Sequence, residues 1–183
     1  MKIIAISGSL RKNSFNTGLI RAAKELKPAG MEIEYFDIKD IPLYNQDIDG
    51  NDKPGAVIEL GKKVDEADGI LLSVPEYNYS FTAALKNVFD WLSRMSPMPL
   101  SGKPLAMMGA SYGMSGTMRA QLQFRQVMIY LDVRVLNKPE VLIPSAYEGK
   151  FNENGDLVDE GSKKHIKKML LAFEDFVKIN TQK

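Results

Sequence analysis

The stretch Ile3-Ile4-Ala5-Ile6-Ser7-Gly8-Ser9-Leu10-Arg11-Lys12-Asn13-Ser14-Phe15-Asn16-Thr17 joins a short apolar run to a polar loop and then to a segment of helical period. Ile3 to Ser7 reads as a strand and Gly8 to Phe15 as the loop that follows it. Leu19, Ile20, Ala23 and Leu26 then recur at helical spacing until Pro28 and Gly30 end the helix. A wholly apolar strand followed by a helix is the unit of a parallel sheet, buried on both faces.

The unit repeats along the chain. Met31 to Asp37 alternates as a strand, Ile41 to Pro54 is a surface loop, and Val57, Leu60, Gly61 and Val64 form a second helical face. Ile70 to Val74 is the third strand, Pro75 to Phe81 a loop, and Leu85, Val88, Phe89 and Leu92 one face of a third helix ended by Pro97, Pro99 and Gly102. Leu105 to Met108 is the fourth strand, Gly109 to Gly116 a loop, and Leu122, Val127, Ile129 and Leu131 belong to a fourth helix. Either Val133 to Leu136 or Val141 to Ile143 supplies the fifth strand, and Ala146 to Gly161 is an exposed excursion with Phe151 as its anchor. From Lys163 onward Ile166, Met169, Leu170, Phe173, Phe176 and Val177 share one arc of the last helix. Lys163, Lys164, Lys167 and Lys168 lie opposite, as a solvated face in preference to a polyanion site. Five such units in residues 1–183 predict a single α/β domain. Its expected form is a flavodoxin-like three-layer sandwich, a five-stranded parallel sheet of order 2-1-3-4-5 with helices on both faces.

Composition narrows the function. The 183 residues carry 24 Lys plus Arg against 23 Asp plus Glu, a net charge of +1 that offers a nucleic acid no long-range attraction. Without cysteine there is no disulfide, thiolate nucleophile, iron–sulfur cluster or cysteine-ligated zinc, and one histidine excludes a multi-histidine metal site. Redox chemistry therefore requires a bound cofactor. No apolar stretch reaches the ~18 residues of a membrane helix, and the expected setting is cytoplasmic, without membrane insertion.

In an open parallel sheet, ligands bind beyond the carboxyl ends of the strands where the strand order reverses, here between strands one and three. The loop after strand one offers hydroxyls, the Arg11 guanidinium and a helix N-terminus, a set that suits a phosphate monoester. It carries neither the G-x-G-x-x-G of a dinucleotide site nor a nucleoside-triphosphate loop. Ordinary helix capping by Ser14 or Asn16 is the alternative explanation of the same residues. The loop after strand three, Pro75-Glu76-Tyr77-Asn78-Tyr79-Ser80, sets two tyrosines around Glu76 and Asn78 with no cation. Aromatic faces, backbone amides and Asn78 suit a flat, mostly uncharged heterocycle, while core or subunit-boundary packing of the tyrosines is the alternative. Glu76 is read as lending main-chain contacts in preference to acting as an acid. A phosphate and a flat ring on a short linker describe flavin mononucleotide (FMN).

Gly109-Ala110-Ser111-Tyr112-Gly113 also matches the nucleophile-elbow pattern G-x-S-x-G, with Asp132 or Asp159 and then His165 downstream in hydrolase order. His165 falls in the lysine-rich start of the last helix and no HGGG-type oxyanion motif is present, so Ser111 and Gly113 are assigned to a third ligand loop beside the pyrimidine edge of a flavin.

Together, GSLRKNSFN at Gly8 to Asn16, PEYNYS at Pro75 to Ser80, LKNVFDWLSR at Leu85 to Arg94, GKP at Gly102 to Pro104 and the GASYG loop with Arg119 beyond it resemble the NADPH-dependent FMN reductase family. Within it they look most similar to the bacterial chromate and quinone reductase branch. The resemblance covers nearly the whole chain. It implies that Ser9, Arg11, Ser14, Phe15, Asn16 and Thr17 surround the FMN phosphate, that Pro75, Glu76, Tyr77, Asn78 and Tyr79 line the isoalloxazine, and that Ser111 and Gly113 meet its polar end. It also implies a homodimer or homotetramer with the flavin near a subunit boundary, which Val88, Phe89, Trp91 and Leu92 would serve unless they pack in the core. Where the family usually has Pro, two residues after the Ser of the PEYN segment, this chain has Thr82, which implies a looser loop. Arg94 and Tyr112 are candidates for tuning acceptor access.

The reading is an NAD(P)H-dependent oxidoreductase with NADPH or NADH as co-substrate. FMN takes a hydride at N5 from nicotinamide and passes the electrons, in a ping-pong cycle, to a small-molecule acceptor: a quinone, azo compound, chromate, ferric chelate or free flavin. The protein stacks the rings and tunes the flavin, so no catalytic side chain and no metal ligand are assigned. The alternatives are a flavodoxin-like electron carrier without nicotinamide oxidation, disfavoured by the balanced charge, and a module that senses flavin or nicotinamide.

Overall fold

Six strands, β1 (Lys2–Ser7), β2 (Glu32–Phe36), β3 (Gly69–Ser73), β4 (Pro104–Ala110), β5 (Arg134–Val135) and β6 (Val141–Ile143), form one parallel sheet in this computed structural model. The described residues are 1–50 and 53–181; Asn51 and Asp52, within the loop expected over Ile41 to Pro54, lie outside them, as do Gln182 and Lys183. The order is β2-β1-β3-β4-β5, with β6 also paired to β4, and the α/β arrangement is the expected flavodoxin-like one. Helices α1 (Phe15–Leu26), α2 (Gly55–Glu66), α3 (Ala83–Leu92), α4 (Met118–Tyr130) and α5 (Glu160–Thr181) cover both faces.

Side chains alternate across a strand, and here both sets are apolar. Ile4, Ile6, Ile70, Leu72 and Leu105 pack under α2, α3 and α4, whereas Ile3, Ala5, Leu71, Ala106 and Met108 pack under α1 and α5. Val88, Phe89, Trp91 and Leu92 are buried within this first layer, which assigns them to the core instead of a subunit boundary. Each such fully buried side chain stabilises the fold by about 1.5–3 kcal/mol. Trp91 also donates from Nε1 to the Pro42 carbonyl at 2.8 Å, fastening the loop after β2 to α3. On α4, Ala120, Phe124 and Met128 face the sheet, while Leu122, Ile129 and Tyr130 face outward.

The fifth strand position is occupied by both expected segments. Arg134–Val135 pairs with Pro104–Leu105 at the start of β4, and Val141–Ile143 pairs with Met108–Ala110 at its end. Pro139 between them has no N–H to continue a ladder. The excursion expected to be exposed from Ala146 to Gly161 is docked instead: Ala146 and Leu157 are buried, Phe151 bridges Leu157, and α5 already begins at Glu160. Its path over α1 needs glycine at position 18, where a Cβ would lie 1.8 Å from the Gly155 carbonyl oxygen. Among the described residues no helix is long and apolar enough to cross a membrane.

Candidate functional site

At the carboxyl end of β1 the chain folds into consecutive side-chain-capped turns. Ser7 Oγ accepts from Ser9 N and from Thr17 Oγ1, Ser9 Oγ accepts from Arg11 N, and Ser14 Oγ accepts from Asn16 N as the N-cap of α1. The capping reading of Ser14 thus holds, and its hydroxyl proton remains available to an acceptor at the first turn of α1. Asn16 is a buried tie: Oδ1 accepts from Ser73 Oγ at 3.0 Å and from Ala110 N at 3.1 Å, and Nδ2 donates to Ala110 O at 3.0 Å. One amide therefore fastens the start of α1 to the ends of β3 and β4.

After β3, Tyr77 and Ser80 exchange backbone hydrogen bonds of 2.8 and 3.0 Å around Asn78 and Tyr79, whose φ values are 50° and 69°. Positive φ at both central residues is the type I′ hairpin geometry. Tyr77 and Tyr79 are exposed, which excludes core packing of either. Glu76 lies below them with its side chain only 8% exposed. Its Oε2 accepts from Arg119 N and Ala120 N, and its Oε1 from Ser115 Oγ at 3.0 Å. Thr117, the residue preceding α4, makes no side-chain cap, so Glu76 supplies that cap from another loop.

The loop after β4 approaches the neighbouring strand closely. A Cβ at Gly109 would lie 2.0 Å from Thr117 Oγ1 and 2.6 Å from Val74 O, so only glycine fits. Ser111 Oγ donates to Gly113 O at 3.1 Å, and residues 111–117 separate β4 from α4 where a nucleophile elbow would turn at once into the helix. His165 lines a separate depression with Lys150 and Asp159 and does not join Ser111.

These loops enclose a cavity of about 400 Å³, a volume suited to a cofactor. Ser9, Arg11, Ser14, Phe15 and Asn16 line one end, and Pro75, Glu76, Tyr77, Tyr79, Ser111 and Gly113 line the rest. Two expected residues are absent from the lining: the Thr17 hydroxyl turns to Ser7, and Asn78 stands at the exposed hairpin tip. Arg94 also lies elsewhere, over the Tyr44 ring in a groove beside Met95 and Pro97, whereas Tyr112 lines the cavity. Ala110, Met114 and Ser115 complete the lining, the last two with no sequence signal beyond their place in the glycine-containing loop; Arg119, flagged there, joins them.

The two rims are aromatic and cationic. Arg11 lies over Phe15 at 5.0 Å, and Phe15 contacts Phe151 at 4.5 Å and Tyr112 at 5.5 Å, while Arg119 lies over Tyr79 at 4.0 Å. Tyr147 stacks on Tyr112, and hydrogen bonding to Glu148 pushes its phenol up from the usual range.

The three loops bring different chemistry to the cavity. Ser9, Arg11, Ser14 and the α1 N-terminus come to the cavity from the first loop, and Tyr77, Tyr79, Ser111 and Ser115, with the Arg119 guanidinium over the Tyr79 ring, come from the others. The cavity lies beyond the carboxyl ends of β1, β3 and β4, at the switch point where sheets of the flavodoxin-like class bind their ligands. The model of the NADPH-dependent FMN reductase family matches residues 1–148, and the chain belongs to that family, whose flavoenzymes use FMN with NAD(P)H. An NAD(P)H-dependent FMN reductase from Pseudomonas aeruginosa is 45% identical over 97% of this chain and 96% of its own length. A quinone reductase from Escherichia coli is 37% identical over 97% and 95%. Among solved structures, a flavoenzyme NAD(P)H:acceptor oxidoreductase from Paracoccus denitrificans superposes with a TM-score of 0.88 at 29% identity, covering 98% of both chains.

Proposed function

We propose that residues 1–183 form one FMN-binding domain that oxidises NADPH or NADH and reduces a quinone-class acceptor in ping-pong order. The observation that carries the reading is the single cavity with a phosphate-type end at Ser9, Arg11 and Ser14 and an aromatic end at Tyr77 and Tyr79. The chemistry FMN supplies when bound is two-electron transfer, from nicotinamide in one half-reaction and to the acceptor in the next. In this reading Ser9, Arg11, Ser14 and the first turn of α1 bind the phosphate, and Asn16 orders that end. Pro75, Glu76, Tyr77, Tyr79, Ser111 and Gly113 hold the ring system, with no side chain moving a proton. Quinones are the acceptor class named for the relatives, and azo compounds, chromate, ferric chelates and free flavin fit an opening that discriminates weakly.

Leu122, Ile129 and Tyr130, exposed together on α4, favour a homodimer or homotetramer, since large apolar side chains gathered on one face mark an interaction surface. The absence of cysteine is in keeping with a cytoplasmic setting. Calorimetric titration of the apo chain with FMN and with riboflavin tests the phosphate end. FMN should bind at least tenfold more tightly, and equal affinity would remove that end from the site.

A further inference from the structure

Tyr79 adopts φ 69°, a left-handed conformation that asparagine tolerates and a tyrosine adopts only under strain. Asn78 beside it, at φ 50°, is the tolerated kind. A strained residue persists where its surroundings fix it, and here α4 adds fixing groups to the Tyr77–Ser80 backbone pair. Gln123 Nε2 donates to the Tyr79 carbonyl at 3.0 Å, and Gln123 Oε1 accepts from Ser80 Oγ at 2.7 Å. Gln123 does not line the cavity, so any effect it has on a ligand passes through the hairpin.

We propose that Gln123 is a positioning residue for the flavin loop: its side-chain amide spans Tyr79 O and Ser80 Oγ and holds the left-handed turn whose tyrosine faces bound the cavity. The inference rests on the FMN reading of that cavity. The carboxamide donates to the carbonyl from one atom and accepts from the hydroxyl at the other, without titrating. A glutamate at this position accepts from Ser80 but turns a second acceptor toward Tyr79 O until it is protonated.

The test is the FMN dissociation constant of the wild type, Gln123→Ala, Gln123→Glu, Tyr79→Gly and the Gln123→Ala/Tyr79→Gly double variant, with thermal melting of each apo protein to verify folding. Gln123→Ala and Gln123→Glu should each weaken FMN binding by about tenfold near pH 7.5, the loss of a hydrogen bond that fixes geometry. Relative to wild type at the same pH, Gln123→Glu should recover as pH falls toward about 5, where its carboxyl begins to regain a donor. A merely structural role for α4 predicts no such recovery. Glycine takes positive φ without strain, so in the Tyr79→Gly background Gln123→Ala should add less than about twofold. Wild-type affinity in Gln123→Ala, or an undiminished penalty in the Tyr79→Gly background, overturns this inference alone. A wild-type chain that does not bind FMN overturns both it and the reading beneath it.

Discussion

Thr82 Oγ1 donates to the Gly8 carbonyl at 2.7 Å and accepts from Leu85 N at 3.3 Å, so one hydroxyl joins the β1 loop to the β3 loop and caps α3. The resemblance implied a loop loosened by the missing proline. Thr82 already has φ −74°, near the value proline imposes, and its hydroxyl adds a tie that proline cannot make. Thr82→Val should lower stability by about 1–2 kcal/mol in urea unfolding, through the lost cap and an unpaired buried carbonyl. Thr82→Ser should stay close to wild type.

Asn16 holds three buried hydrogen bonds between α1 and the ends of β3 and β4. Asn16→Ala leaves the Ala110 N–H and carbonyl and the Ser73 hydroxyl without that partner, and should cost about 2–3 kcal/mol in the apo protein, measured by denaturant unfolding.

Arg11 is exposed at the cavity edge, its backbone fixed by Ser9 and its guanidinium resting on Phe15. Arg11→Ala should weaken FMN binding by about 1–3 kcal/mol while leaving riboflavin binding nearly unchanged, since the lost hydrogen bond is to a charged phosphate. Equal losses for both ligands would remove Arg11 from the phosphate end.

Acid stability follows from two depressed carboxyls near α1 and α5. Hydrogen bonds from Ser162 hold Asp159 below the usual carboxylate range as it caps α5, and Arg21 does the same for Asp156. A depressed folded pKa means that the stabilisation is complete above the unfolded value, about 3.9, and is lost as pH falls through the lower folded value. Asp159→Ala should cost about 1 kcal/mol near pH 7, the usual worth of an N-cap, and its difference in melting temperature from wild type should close below about pH 4. A difference that persists undiminished at pH 2 would contradict the assignment.

The strand order and the three loops that meet at the cavity were legible because each apolar run is short, unbroken and ended by turn residues, as at Ile70 to Val74 before Pro75. Ser9, Arg11 and Ser14, singled out by their hydroxyls and guanidinium in one loop, do line one cavity together. What stayed hidden depends on contacts far apart in sequence. Nothing near Glu76 announces that its carboxylate caps a helix more than forty residues away, and Gln123 reads as an ordinary exposed helical residue. Thr17 and Asn78 carry suitable groups in suitable loops, yet a hydrogen bond to Ser7 turns one away and the hairpin tip removes the other. The excursion after Ala146 is polar enough to read as exposed with Phe151 as its anchor, and only the structure shows that anchor packed on Phe15 at the cavity edge.

The central claim is nicotinamide-driven reduction at this cavity, and it is tested most directly by anaerobic titration of the FMN-loaded protein with NADPH and then NADH, followed by addition of a quinone. The account predicts that the flavin absorbance bleaches with about one equivalent of at least one nucleotide and returns when the quinone is added. Bound flavin whose absorbance is unchanged by either nucleotide would contradict it.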